Sequence, residues 1–204
     1  MEIMHEMNRA IFIDKDGTLV KNVPYNIDPA LIELEDDAGA ALRVLKEHGY
    51  LIIVVSNQSG VAHGYFEEAD LEKVKHHIEH LLLKQNAAID AFYYCPHHPE
   101  GKASAYSILC DCRKPQPGML IQAARDFAVD LTLSWMIGDI LNDVEAGSRA
   151  GCKTILIDNG NETEWITNEM RLPSYIVHNL KEASTVILQT EKDVGTQREI
   201  SQHH

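Results

Sequence analysis

No stretch of this 204-residue chain approaches the roughly 20 consecutive apolar residues that a bilayer-spanning helix needs. The segment Met1-Glu2-Ile3-Met4-His5-Glu6 lacks a basic region leading into an apolar one, so no secretory signal is expected. Cations are scarce: 18 Lys and Arg stand against 31 Asp and Glu, a net charge of −13 with His neutral. No basic stripe is present, which argues against a nucleic-acid binder; an anionic partner must be held by a few local cations or a metal. Cysteines number only four, and Cys95, Cys110 and Cys112 fall within 18 residues beside a histidine pair, a pattern of metal binding more than of disulfides. Cys152, alone in an apolar stretch, reads as a small buried hydrophobe. A cytoplasmic protein is expected.

What is present is ordinary for a globular chain, with 45% apolar and 24% charged residues. Short apolar runs at Ala10–Ile13, Tyr50–Val55, Ile89–Cys95, Leu133–Ile137, Thr154–Ile157 and Tyr175–Val177 suit strands buried on both faces. Helical stripes lie between them. Ala38, Ala41, Leu42 and Leu45 follow Asp36 and Asp37 as N-cap candidates and precede Gly49. Leu71, Val74, Ile78, Leu81 and Leu82 make a second stripe; Leu120, Ala123, Ala124 and Phe127 make a third, opened by Pro117. The alternation predicts an α/β fold, a Rossmann-like, doubly wound parallel sheet. With neither repeat nor linker visible, 1–188 reads as one domain and the polar stretch 189–204 as a frayed tail.

Ligands of such sheets bind beyond the carboxyl ends of the strands. After the first run comes Asp14-Lys15-Asp16-Gly17-Thr18, two carboxylates that point to one side while the chain is extended. A calcium loop counted from Asp14 would want Gly and Glu where Leu19 and Tyr25 stand. After the second run, Ser56-Asn57-Gln58-Ser59-Gly60 offers small donors for an oxyanion, and taken alone it reads equally as a turn. Arg113-Lys114-Pro115 places two cations ahead of the third helix, an anion site or a solvated pair. Gly138-Asp139-Ile140-Leu141-Asn142-Asp143 adds the acid that Mg²⁺ needs. Cys95, His97, Cys110 and Cys112 form a Cys-x-His…Cys-x-Cys set that suits a closed, structural Zn²⁺ site, with His98 as the alternative to His97.

The order Asp-x-Asp-Gly-Thr, Ser-Asn, Lys, Gly-Asp-x-x-x-Asp resembles the four motifs of the haloacid dehalogenase (HAD) superfamily of phosphotransferases. The 41 residues between Asp14 and Ser56 already hold a helix and a strand, so the HAD core is expected to be capless. Together with the cysteine loop, these motifs look like the heptose-bisphosphate phosphatase family, a relative of the histidinol-phosphate phosphatases, over about Phe12 to Asp158.

The resemblance implies a Mg²⁺-dependent phosphatase acting on the 7-phosphate of a heptose 1,7-bisphosphate, with histidinol phosphate or another small phosphomonoester as alternative. It implies Asp14 as nucleophile, Asp16 as general acid/base, and Ser56 and Lys114 on the phosphoryl group. Mg²⁺ falls to Asp14, the Asp16 carbonyl and Asp139, and Zn²⁺ to Cys95, His97, Cys110 and Cys112. The rest of the substrate falls to Asn22, Val23, Pro24, Tyr25, Asn57, Gln58, Ser59 and Arg113. Two positions depart from the family: His63 stands where Arg is common and Ile140 where Lys or Arg is frequent, thinning the charge that would receive a second phosphate. A receiver-type phospho-accepting domain would have adjacent acids after the first strand, whereas here one residue separates them. A zinc-stabilised binding protein would leave catalytic positions empty, and all are filled. The partner expected is a small phosphorylated sugar, with neither nucleic acid nor membrane, and a monomer suffices.

Overall fold

The computed structural model of the protein describes residues 7–201. Residues 1–6, read above for a secretory signal, and 202–204 of the expected tail lie outside the described residues. Six strands form one parallel sheet in the order β3-β2-β1-β4-β5-β6. They are β1 (Arg9–Ile13), β2 (Tyr50–Asn57), β3 (Ala91–Cys95), β4 (Trp135–Gly138), β5 (Lys153–Ile157) and β6 (Tyr175–Val177). The helices are α1 (Ala38–Glu47), α2 (Gly60–His63), α3 (Asp70–Lys84), α4 (Gly118–Asp126), α5 (Leu141–Ala150) and α6 (Leu180–Ser201).

The two-residue period of a strand divides the core. Ile11 and Ile13 of β1 join Leu42 and Leu45 of α1, Val74 and Ile78 of α3 and Ile187 of α6 on one face. Ala10 and Phe12 point the other way, to Leu120 and Ala123 of α4 and Ala146 of α5. With both faces covered, the strands are the continuous apolar runs that the sequence displays. Helix α1 ends where Gly49 takes φ +83°, a left-handed conformation that a Cβ disfavours. Asp37 holds the N-cap position of α1 at φ +63° without a side-chain capping bond, so the aspartates mark this helix start by position only.

Several boundaries differ from the sequence pattern. Strand β3 begins at Ala91 because Asp90 is turned to accept from Ile52 N at 2.7 Å and from Lys46. Leu133 ends a 3-10 turn, Leu131–Leu133, in which Thr132 N donates to Asp130 Oδ1 at 2.8 Å, and β4 starts at Trp135. Helix α6 continues past Leu188, where fraying was expected. Its Glu191 accepts from Tyr50 Oη at 2.5 Å and pairs with Arg9, contacts that anchor a stretch with little apolar content. Between β1 and α1 lie only turns, isolated bridges and the 3-10 turn Pro29–Leu31, with no inserted cap domain. Among the described residues no helix is long and apolar enough to cross a membrane.

Successive strands are laid down to one side of β1 and then, from β4, to the other, so the crevice at this switch point opens beyond Ile13 and Gly138. Asp14 N donates to Ile137 O at 2.9 Å, setting the first acidic loop against the end of β4. Glu191→Ala should lower stability by about 1–2 kcal/mol in urea denaturation, the scale of losing a part-buried hydrogen bond and ion pair; an unchanged midpoint would mean that this helix end contributes nothing.

Candidate active site

At the crevice one ammonium sits among three carboxylates. Lys114, 3% exposed, pairs with Asp14, reaches Asp143 Oδ1 at 2.6 Å and donates to Val55 O at 2.9 Å. Burial works against its charge, but the Asp14 and Asp143 carboxylates more than offset that and hold its pKa above the ordinary lysine value. The lysine is itself fixed from behind. Asn57 Oδ1 accepts from Lys114 N and Asn57 Nδ2 donates to Lys114 O, both at 3.0 Å. Asn57, expected on the substrate, thus holds the backbone of Lys114.

Asp16 lies two residues beyond Asp14 and faces a second set of donors. Its Oδ1 is 2.8 Å from Nζ of Lys15, another buried lysine, and its Oδ2 accepts from Gln58 Nε2 at 3.1 Å. Burial raises the Asp16 pKa, Lys15 lowers it, Asp14 raises it again, and the net direction is upward. Gln58 Nε2 also donates to Ser56 Oγ at 2.7 Å. Gln58, expected on the substrate, therefore joins two of the site residues.

Asp139 completes the acidic cluster with Asp14 and Asp143, their carboxylate oxygens within 4.8 Å of one another. Thr18 Oγ1 donates to Asp139 Oδ1 at 3.0 Å and Asn161 Nδ2 to Oδ2 at 2.8 Å. Gly17 (φ +83°) runs so close that a Cβ there would lie 2.2 Å from Asp139 Oδ2. Burial, then the Asp14 and Asp143 charges, push Asp139 up to about 8; burial pushes Asp143 up to about 6 against the pull of Lys114. Three buried acids facing one ammonium make a donor set that fits a hard divalent cation with oxygen ligands.

The second cluster is sulfur-rich. Cys112 Sγ lies 2.9 Å from Cys95 Sγ and 3.2 Å from Cys110 Sγ, with His97 Nδ1 at 3.3 Å. The Cys95 contact, ahead of those with Cys110 and His97, pushes Cys112 down to about 5, while the same contact and burial push Cys95 up. Three thiols and one imidazole nitrogen converging this closely are a donor set that fits Zn²⁺. His98 points elsewhere. Its ring lies 4.8 Å from that of His63, which leaves His97 as the imidazole of the cluster.

The remaining residues expected on the substrate make no contact with the acidic cluster among the described hydrogen bonds and ion pairs. Asn22 and Pro24 are exposed, and Val23 shares a small crevice with Lys15 and Asp16. Tyr25 stacks edge-on to Tyr65 at 4.8 Å, and His63 continues this row of rings to His98. Arg113 Nη1 reaches His97 O at 3.4 Å. Ser59 sits at the N-cap of α2 without a side-chain capping bond. The structure thus joins Asp14, Asp16, Ser56, Lys114 and Asp139 in one site. To them it adds Asp143, Lys15, Thr18 and Asn161, which were absent from the expected set. Asp143 and Thr18 were visible inside the quoted motifs; Asn161 had only the signal of lying just beyond a strand end.

Comparison with known proteins gives this geometry a family. The HAD-hydrolase-like family model matches residues 111–183. The D-glycero-β-D-manno-heptose-1,7-bisphosphate 7-phosphatase of Salmonella typhi is 40% identical over 178 residues, 82% of this chain and 94% of that protein. The crystal structure of a HAD-like protein from Mesorhizobium loti is similar with a TM-score of 0.79 at 30% identity, covering 92% of this chain and 89% of the other. The D,D-heptose 1,7-bisphosphate phosphatase of B. bronchiseptica, solved with magnesium and phosphate, gives 0.72 at 26% identity, covering 89% and 99%. Identity at this level along nearly the whole of a relative makes the chain a member of the D-glycero-β-D-manno-heptose-1,7-bisphosphate 7-phosphatase family, phosphomonoester hydrolases of the HAD-like superfamily.

Proposed function

We propose that this enzyme removes the 7-phosphate of a heptose 1,7-bisphosphate through an aspartyl-phosphate on Asp14. The observation that carries the reading is the placement of Asp14 against Lys114 with Asp16, its pKa raised, two residues beyond. A carboxylate oxygen of Asp14 attacks phosphorus, the bond from phosphorus to the ester oxygen breaks, and protonated Asp16 gives that leaving oxygen its proton. Asp16, now a carboxylate, takes a proton from water as the water oxygen attacks the phosphorus. The bond to Asp14 then breaks, releasing inorganic phosphate and restoring both aspartates. Lys15 and Gln58 orient Asp16 for both transfers.

A phosphate dianion is repelled by a bare carboxylate, so the step needs cations at the equatorial oxygens. Lys114 and the Ser56 hydroxyl serve there. Asp14, Asp139 and Asp143, with the backbone carbonyl of Asp16, would hold Mg²⁺, which when bound supplies Lewis-acid stabilisation of phosphoryl charge. Cys95, His97, Cys110 and Cys112 would hold a structural Zn²⁺, a site that needs reduced thiols and so suits the cytoplasm. Arg113, Tyr25 and the His63 ring face the rest of the sugar. Every group in this scheme comes from one chain, and a monomer suffices.

Asp14→Asn should abolish turnover while circular dichroism shows the fold retained; a variant retaining near wild-type phosphate release would remove Asp14 as nucleophile. Cys110→Ser should lower zinc content, measured by elemental analysis, together with thermal stability. A zinc-free variant as stable as the parent would show that the cluster holds no structural ion. Phosphate release with Mg²⁺ is compared on heptose 1,7-bisphosphate, histidinol phosphate and fructose 1,6-bisphosphate. The expected preference for the heptose in kcat/KM is about 100-fold, or about 2.7 kcal/mol in the transition state. Equal rates on all three would discard the heptose while keeping the phosphatase.

A further inference from the structure

The loop that follows β5 reaches back over the acidic cluster, and none of the steps above uses it. It grips the site on both sides. Toward β1, Asn159 Nδ2 donates to Gly17 O at 2.7 Å, holding the turn between Asp16 and Thr18. Toward β4 and α5 it makes four contacts. Asn161 Nδ2 donates to Asp139 Oδ2 at 2.8 Å, and Glu162 Oε2 accepts from Leu141 N, in the first turn of α5, at 2.7 Å. Arg171 donates to Asn142 Oδ1 and Glu145 Oε2, each at 2.7 Å. The Glu162 carboxylate meets the positive end of the helix that carries Asp143, the electrostatically favoured arrangement.

We propose that Asn161 is a positioning residue that fixes the Asp139 carboxylate for a divalent cation, with Glu162 and Arg171 holding the helix from which Asp143 projects. This rests on the reading of Asp139 as a metal ligand. Thr18 occupies Oδ1 of Asp139 and Asn161 occupies Oδ2, so a donor on each oxygen stops the carboxylate from rotating about its Cβ–Cγ bond. Each oxygen accepts through one lone pair and keeps another for the cation. The chemistry of the donor matters as well. A neutral amide orients the carboxylate without cancelling its charge, whereas an ammonium or guanidinium in its place would form an ion pair in competition with the metal. Outer partners of this kind hold metal ligands in register, and their loss typically lowers metal affinity or activity by about 10–100-fold.

The test is Mg²⁺ binding to the full chain by titration calorimetry, beside the Mg²⁺ dependence of phosphate release. Asn161→Ala should weaken Mg²⁺ binding by about 10–100-fold, while the thermal midpoint without Mg²⁺ stays close to the parent's. Asn161→Asp, the same shape with the donor replaced by a like charge, should weaken binding at least as much. Asp139→Asn serves as reference and should lose binding altogether. Unchanged affinity in Asn161→Ala with binding lost in Asp139→Asn would overturn the role of Asn161 alone. Unchanged affinity in both would overturn Asp139 as a ligand and the proposal with it. A lowered midpoint in Asn161→Ala without any change in affinity would reduce the residue to a structural contact, and that too would overturn it.

Discussion

One buried ammonium held between carboxylates is the constraint to which the rest of this structure answers. Taking Lys114 and Asp143 out of water is unfavourable by several kcal/mol per ion unless partners are placed with good geometry. That geometry is supplied by four strand ends. Asp14 leaves β1 and Asp139 leaves β4; Val55, near the end of β2, gives its carbonyl to Lys114, which follows the cysteine loop that leaves β3. The glycines answer the same constraint. A Cβ at Gly138 would lie 2.2 Å from the Asp143 side chain, so only glycine lets α5 fold back and carry Asp143 across the end of β4. Gly17 clears the same space for Asp139. The spacing Gly-Asp-x-x-x-Asp is therefore a packing requirement as much as a chemical one.

The sulfur cluster belongs to this arrangement by two routes. Cys112 precedes Lys114 by two residues, so fixing one restricts the other. Cys95 O accepts from Gln58 N at 2.8 Å, and the Gln58 side chain then bonds Ser56 and Asp16. The loop between the cysteines buries little apolar surface. It is held on α2 by the N–H groups of Lys102 and Ala103, both donating to Ala62 O, and on Glu68 through the Tyr106 hydroxyl. A cluster that could hold a metal suits a loop that has too little core of its own to fold against.

The sequence could be read wherever one local rule decides the outcome. The strand runs are apolar throughout because both sheet faces are covered, and the acids stand at their ends because ligands bind there. Asp14, Asp16, Ser56, Lys114 and Asp139 could be singled out for that reason. Contacts made through folding alone left no such mark. Nothing local tells that the Asn57 amide would be used up by the Lys114 backbone, or that Gln58 would turn to Asp16. Asn161 meets Asp139 across 22 residues of chain, and Glu191 meets Tyr50 across 141. The polar composition of 189–204 says that the segment cannot drive a core. It is silent on the two partners that hold Glu191 in α6.

The two departures at His63 and Ile140 fall where they leave this charge balance alone. His63 lies in the row of rings from Tyr25 through Tyr65 to His98, and no ring of that row bonds to Asp14, Asp16, Asp139, Asp143 or Lys114. Ile140, at the N-cap of α5, gives its backbone N–H to Asp143 Oδ2 at 3.3 Å, a contact that any side chain there would permit. The chemistry thus rests on rigid strand ends and buried ions, where a changed charge would unbalance the cluster. In the proposed function, recognition of the sugar falls to exposed loop residues that can change without that penalty. A capless core sharpens this division: among the described residues no second domain stands between β1 and α1, so in the proposed function the short loops alone meet whatever part of the substrate lies beyond the reacting phosphate.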